Sequence, residues 1–508
     1  MKILSAEQIR EADAYTISHE PVASIDLMER AAEACVNWIC ASQFSQKANH
    51  VYHIFCGLGN NGGDGLAIAR LLAEKKQTIC VYIIRYSDKI SADFKINEER
   101  LRAISSVSVF EIESSENLKS IKMRSADLII DAIFGTGLNK VVDGLAADVI
   151  NFVNSLSVLT ISIDVPSGLN LVHKVKSIDG PCIKASHTLT FQVPKLVFMF
   201  PGYGQYIGDF TILDIGLDTG FIERQETINY FTTLADIKKL IKPRSKFSHK
   251  GTYGHALIVA GSYGKIGAAE MAVNACLQSG AGLVTAHVPK CGNEIMQTAL
   301  PEAMLSIDSN EHSLSELPKL EKYNAIGVGP GLGDEKQTQN TVKLLIQNAS
   351  APMVVDADAL NILSENKTWI SFLPKNSILT PHPKEFERLV GKWENDYERY
   401  DKLREFAFKS GTYVVLKGAH TAIACPDATV YFNSTGNPGM AKGGSGDVLT
   451  GIITGLLAQG YFSKDAAILG VYWHGLAGDI AADLKTQQTM KAGDIVESLS
   501  KAYRTILD

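Results

Sequence analysis

The sequence predicts two α/β domains, each built on a largely parallel sheet. Three observations carry that prediction. Short apolar runs ending in glycine-rich turns recur along all 508 residues. The stretches between most of them are long enough for one helix, the alternation expected of βαβ units. A chain of this length also supports two or three domains, each with its own core. Its 49 basic and 55 acidic residues leave a formal charge of −6, without the basic excess of a nucleic-acid binder. No run approaches the roughly 20 apolar residues of a membrane-spanning helix. The start, MKILSAEQIREADAYTIS, puts acidic and polar groups where a signal peptide needs its apolar region. Eight cysteines without a C-x-x-C pair, mostly inside apolar segments, read as reduced core residues of a cytoplasmic protein.

In chain order, the first-half strands are expected at 51–56, 78–85, 126–134, 158–165, 187–193 and 210–217. The second half repeats the pattern at 254–261, 325–329, 351–358, 376–381 and 412–418, and its last third reads as helical. Between the halves, residues 218–250 lose strand character and gain charge. A boundary there divides the chain into domains 1–224 and 225–508. Open parallel sheets bind ligands beyond the carboxyl ends of their strands, so the loops after these runs are where chemistry is expected.

The first such loop, GLGNNGGDG, contains Gly57-x-Gly59-x-x-Gly62, the spacing of a dinucleotide fingerprint. Asp64 argues against that reading, because a carboxylate at the helix start repels a pyrophosphate. The expected second strand also ends in Arg85 rather than an acidic residue. Arg85 would suit a 2′-phosphate, which keeps an NADP dehydrogenase as a minor alternative, and Asp64 can equally be a helix cap. Two more strand ends carry carboxylates, Asp131 in LIIDAIFGTGLNK and Asp164 in ISIDVPSGLN, each followed by a hydroxyl, Thr136 or Ser167. Together with Asn60 and Asn61 they make a set of hard oxygens, suited to a cation or a polar, sugar-like ligand.

In the second half, NPGMAKGGSGDVLTG sets a glycine-dense loop before a helical run. Backbone N–H groups converging at a helix start form an anion hole. Asp447 beside it can take a proton from a hydroxyl in phosphoryl transfer. Lys417, His420 and Thr421 follow a strand in a setting that suits a nucleotide, and His382 lies in a Pro-flanked turn.

The motifs NNGGDG, DAIFGTGL and IDVPSGL resemble the epimerase domain of the NAD(P)H-hydrate repair enzymes over residues 5–218. The run from SHKGTYGHALIVAGS through GPGLG, TPHPKEFERL and LKGAHT to NPGMAKGGSGDVLTG resembles their ADP- or ATP-dependent dehydratase domain over residues 226–505. The resemblance implies a Rossmann-like three-layer sandwich followed by a ribokinase-like α/β domain. It implies that the first epimerises R and S hydrates, and that the second dehydrates the S epimer at the expense of ADP. For the epimerase, the implied substrate contacts are Asn60, Asn61, Gly62, Gly63, Asp64, Gly135, Thr136, Gly137, Leu138, Asn139, Lys140, Val141 and Asp164. Asn61, Asp131 and Ser167 are implied to hold K⁺. For the dehydratase, Ala268, Gly331, His382 and Asp447 would face the hydrate. Lys417, Gly418, Ala419, His420 and Thr421 would bind ADP with Gly443, Gly444, Ser445 and Gly446, in the presence of Mg²⁺. Asp447 and Asp164 are the expected catalytic groups and NADHX and NADPHX the expected substrates. A ribokinase-class small-molecule kinase with an N-terminal regulatory domain is the alternative, and self-association into a homo-oligomer stays open.

Overall fold

Seven parallel strands form the sheet of the first unit: β1 (Val51–Cys56), β2 (Thr78–Ile84), β3 (Ser108–Ile112), β4 (Leu128–Ala132), β5 (Leu159–Ile163), β6 (His187–Phe191) and β7 (Asp209–Leu213). Their spatial order is β3-β2-β1-β4-β5-β6-β7. The central strands bury both faces, which is why VYHIFC and LIIDA are almost continuously apolar. Helices Ser24–Ala41 and Asn60–Glu74 pack Ala32, Val36, Ile39, Leu66 and Ile68 on one face, and helix Gly144–Ser155 packs Val149, Ile150 and Val153 on the other. The result is a three-layer sandwich. Strand order reverses between β1 and β4, so the crevice beyond these two strands is the expected binding position. The computed structural model describes residues 1–20, 22–46, 50–171 and 180–508.

The second unit carries ten strands: β8 (Asn229–Phe231), β9 (His255–Val259), β10 (Leu283–Val288), β11 (Met304–Ile307), β12 (Ala325–Val328), β13 (Met353–Val355), β14 (Ile378–Leu379), β15 (Tyr413–Leu416), β16 (Ala422–Ala424) and β17 (Val430–Phe432). Their order is β11-β10-β9-β12-β13-β14-β15-β16-β17-β8. Pairing is parallel from β11 to β15; β16 runs antiparallel to both neighbours. Helices Ile266–Gln278, Ser445–Ala458, Ser463–Lys485 and Ala492–Leu507 cover one face. Helices Lys336–Asn348 and Ala357–Glu365 cover the other. Here too the order reverses, between β9 and β12.

The compact units divide after Thr227: one is Lys2–Thr227, and the other is Ile228–Asp508 together with Met1. Residues 218–250 do not lack strand, as the sequence suggests. Asn229–Phe231 pairs with β17, and Met1 N donates to Phe231 O at 3.0 Å. Short edge strands carry too few residues for a period to show, and β8, β16 and β17 have three each. Strands β3, β10 and β11 also fall outside the runs expected from sequence. Five cysteines (35, 56, 182, 276 and 425) are buried, but Cys40 is exposed and is not a core residue.

Candidate active sites

In the first unit the ends of β1, β4 and β5 meet. Asp131 is the last residue but one of β4, fully buried, and both its oxygens are engaged. Oδ2 accepts from Ser162 Oγ (2.7 Å) and Ser167 N (2.9 Å), and Oδ1 from Ser167 Oγ (2.5 Å) and Ile133 N (3.3 Å). Burial raises its pKa, with the Ser167, Ser162 and Ile133 hydrogen bonds opposing. Ser167 Oγ in turn accepts from Phe134 N at 2.8 Å. Asp131 and Ser167 thus latch the loops after β4 and β5 to one another.

Asn61 is different. It is buried, and among the described residues neither its carboxamide oxygen nor its nitrogen has a hydrogen-bond partner. An orphaned buried amide costs free energy unless a ligand or ion completes it. Its oxygen is the donor type K⁺ takes.

Asp164 follows β5 with φ at +64°, a left-handed conformation that is strained for a non-glycine residue. Its Oδ2 accepts from Thr136 N at 2.8 Å, and Lys195 Nζ lies 3.3 Å from Oδ1. A Cβ on Gly135 would stand 2.9 Å from Asp164 Oδ2 and 3.3 Å from Asn61 Cβ, so only glycine lets the three segments close on one another. Asp13, from helix Ala6–His19, is pushed up to about 6 by burial, with Asp164 adding and Lys195 opposing. Asp64 is raised further, by burial and then by Asp164, Asp13 and Asp93.

Beside these groups, a cavity of about 650 Å³ is lined by Leu58, Gly59, Tyr86, Phe134, Leu138 and Lys140, among others. It takes residues from the loops after β1, β2 and β4, at the strand-order reversal. Thr136 and Gly135 lie on the Asp164 side of the GTGLNK loop, whereas Leu138, Lys140 and Val141 line the cavity. Gly137 and Asn139 are exposed.

Two sequence expectations need correction here. Asp64 neither starts nor caps its helix: the helix runs Asn60–Glu74 with Gly59 as N-cap, so Asp64 is the fifth helical residue. The glycines extend the helix instead of delaying it, because a Cβ on Gly62 would meet Gly57 O at 1.8 Å. Arg85 is not available for a 2′-phosphate; it pairs with Glu98 at 2.5 Å and Glu111 at 2.7 Å.

In the second unit, helix Ser445–Ala458 has Gly444 as N-cap, at φ +97°. Gly446 therefore lies inside the first turn, not in the loop before it. Asp447 is the third helical residue, and its pKa is pushed up to about 7 by burial, with Asp356 and Asp358 adding and Lys417 opposing. Lys417 directly follows β15. Its Nζ lies 2.8 Å from Asp356 Oδ1, and a Cβ on Gly446 would stand 3.3 Å from it. The ammonium therefore sits at the start of the glycine-capped helix. Asp356, after β13, also accepts from Thr450 Oγ1 at 2.9 Å. Burial works against its charge, but Lys417 and the hydroxyls of Thr380 and Thr450 hold its pKa below the usual carboxylate range. Lys417 is raised despite burial by Asp356, Glu385 and Asp447.

The remaining expected residues fall around this centre in two groups. His382 caps helix Pro383–Val390: its Nδ1 accepts from Lys384 N (3.1 Å) and Glu385 N (3.3 Å). Burial and Lys417 lower its pKa, and an Nδ1 that accepts from two amides leaves the ring proton to Nε2. Ala268 is half-buried and Ala269 fully buried. A Cβ on Gly331 would stand 3.1 Å from Ala268 Cβ, so these two are neighbours. Thr421 closes its own turn, its Oγ1 donating to Gly418 O at 3.0 Å. Gly418 and Ala419 are exposed, and His420 Nδ1 lies 3.1 Å from Asn433 O. Gly443 is exposed, whereas Ser445 is buried with an unpartnered hydroxyl.

Sequence reasoning missed Asp13, Lys195, Asp356, Asp358 and Glu385. Asp356 and Asp358 stand in VVDAD, a strand end like those of Asp131 and Asp164, and the same rule would have found them.

Comparison with known proteins accounts for both units. A family profile described as NAD(P)H-hydrate dehydratase matches residues 256–501, and one described as YjeF-related protein N-terminus matches residues 24–197. The bifunctional NAD(P)H-hydrate repair enzyme Nnr of Moorella thermoacetica is 38% identical over 519 residues, covering 100% of this chain and 97% of its own. Its Escherichia coli counterpart is 33% identical, covering 98% and 93%. The crystal structure of ADP/ATP-dependent NAD(P)H-hydrate dehydratase from Bacillus subtilis, obtained with ATP and Mg²⁺, covers 55% of this chain and 98% of its own. It is 32% identical, with a TM-score of 0.48. The chain belongs to the family of bifunctional NAD(P)H-hydrate repair enzymes.

Proposed function

We propose that the first unit interconverts the R and S epimers of NADHX and NADPHX, and that the second unit dehydrates the S epimer with ADP as phosphoryl donor. One observation carries the second assignment. Asp447, with its pKa near neutrality, stands in the first turn of a helix that starts at Gly444 without a side-chain cap and whose start is flanked by Lys417. A base of that pKa is partly ionised at neutral pH and still strong enough to take a hydroxyl proton.

Hydroxide is a poor leaving group, so the hydroxyl of the hydrate is first phosphorylated. Asp447 takes its proton while the oxygen bonds to the terminal phosphorus of ADP and AMP leaves. Phosphate then departs with the C–O electron pair, the neighbouring carbon loses a proton, and the ring double bond forms. Lys417 and the amides of Gly446 and Asp447 offset charge on the phosphoryl oxygens during transfer. Ala268, Gly331 and His382 face the hydrate, and the 417–421 and 443–446 segments hold the nucleotide. Mg²⁺ would be held with the phosphates by Asp358, whose charge adds to the rise in the pKa of Asp447. It would supply countercharge to the phosphates.

In the first unit, Asn61, Asp131 and Ser167 would hold K⁺. The orphaned Asn61 carboxamide is the feature that fits it; the ion would supply a fixed positive charge at the joined loops. The neighbouring cavity would take the rest of the dinucleotide, and Asp164 would move the proton as the hydroxyl-bearing carbon inverts.

The test is recovery of reduced-nicotinamide absorbance from mixed-epimer NADHX, with ADP, Mg²⁺ and K⁺ present or individually omitted. Complete recovery that requires ADP, faster than spontaneous epimerisation, is the expected result. Recovery that stops at the S fraction would remove the epimerase, and no recovery with ADP or ATP would remove both assignments.

A further inference from the structure

Among the described residues without an assigned role, Lys195 is a cation that the first unit buries against its candidate base. Lys195 follows β6 by four residues in the turn FQVPK, and only 2% of its side chain is exposed. Its ammonium reaches three acceptors: Asp164 Oδ1 at 3.3 Å, Phe191 O at 3.1 Å and Val193 O at 3.2 Å. Two of its N–H donors go to the backbone carbonyls, and the charge is paired with the carboxylate. Burying a full charge is costly unless it is paired and hydrogen-bonded, and the carboxylate supplies the pairing.

Viewed from Asp164, the arrangement is a clamp. The Thr136 amide holds Oδ2 and the Lys195 ammonium holds Oδ1, while the backbone sits in a strained left-handed turn. A strained turn persists only where its surroundings over-determine it. Two further carboxyls crowd the same space: Asp13 from helix Ala6–His19 and Asp64 from helix Asn60–Glu74. Both are raised by burial with the Asp164 charge adding. Lys195 opposes that rise at Asp13. Its ammonium therefore pairs with Asp164 and bears on the Asp13 carboxyl as well.

We infer that Lys195 is a positioning residue for epimerisation, its buried ammonium fixing the Asp164 carboxylate without touching the substrate. The inference rests on the epimerase reading of the first unit. It is tested on the full chain with Lys195→Met, Lys195→Arg, Asp164→Asn and the Lys195→Met/Asp164→Asn double variant. Epimerisation kcat and KM are measured, and dehydration of the S epimer by the same preparations serves as a control.

Lys195→Met is expected to lower epimerisation kcat by about 100-fold while leaving KM within about twofold, because only orientation is lost. Lys195→Arg should recover part of that loss. The double variant should be no slower than Asp164→Asn, since both losses pass through one carboxylate. If Lys195→Met folds poorly, the double variant, which removes both charges, and Lys195→Arg carry the comparison. A folded Lys195→Met with kcat within about twofold of wild type overturns the inference, as does a double variant about tenfold slower than Asp164→Asn. A wild-type chain that does not interconvert the epimers overturns the epimerase reading itself, which is a distinct result.

Discussion

Asp447 lies three residues into a helix that begins at a left-handed glycine, so its carboxylate shares a small volume with first-turn amides, Lys417 and two other aspartates. The amides and Lys417 favour its charge, and burial with Asp356 and Asp358 disfavours it. The second set wins. The acting form of a base is the ionised one, so dehydration should fall as pH drops below about 7. Asp447→Asn should lower kcat by about 10²- to 10⁴-fold, the usual contribution of a positioned base. Its effect on stability has the opposite sign. A carboxyl whose folded pKa lies above its unfolded one contributes stability at low pH that is lost as pH rises through the folded value. Asparagine cannot ionise, so the gain in Tm from Asp447→Asn should be larger at pH 8 than at pH 5. Equal gains at both would mean that the raised pKa is not a property of the native state. Asp447 and Asp164 were legible in the sequence because each follows a strand or glycine loop where a carboxylate has few structural duties. Lys195 was not, because FQVPK reads as the end of an apolar strand. Its partner stands 31 positions earlier, and only the pairing of β5 with β6 brings them together.

At the scale of elements, close approach of backbones decides where each loop can hold its side chains. Helix Asn60–Glu74 begins against the end of β1 because Gly62 lets its first turn rest on Gly57; a Cβ there would stand 1.8 Å from the Gly57 carbonyl. Gly62→Ala must push that turn away, which should destabilise the first unit by about 1–3 kcal/mol, as overpacking does. Epimerisation should fall and dehydration should not, measured on one preparation. The His382 turn separates two roles in the same way. As an N-cap, its loss to alanine costs about 1 kcal/mol, whereas asparagine restores the cap. If His382 also faces the hydrate, His382→Asn should recover Tm and still show a raised KM for the S epimer. Recovery of both would leave it a cap alone. The strand–helix alternation that placed these turns was plain in the sequence, since central strands buried on both faces leave continuous apolar runs. Helix starts were less so. Glycine normally lowers helix propensity, and only the contact with Gly57 shows why NNGGDG is helical here.

At the scale of the whole molecule, each unit reverses its strand order once and gathers its candidate groups beyond the sheet at or near that reversal. This repeated geometry explains why a single rule about strand ends found most of both sites. It also explains why the groups supplied from elsewhere, Asp13 from the first helix and Glu385 behind its own cap, were missed. Each unit has separate cores on its own sheet faces, and cores of this kind unfold cooperatively by themselves. Calorimetry of the full chain should therefore show two transitions. ADP at about 100 times its Kd should stabilise one of them by about 2.7 kcal/mol, by mass action on the native form alone. Gly62→Ala should lower the other. Coincident movement of both transitions with ADP would mean that the units unfold together. One activity could not then report the folding of the domain that carries the other, and the comparisons of epimerisation with dehydration would need each variant's melting curve beside its rates.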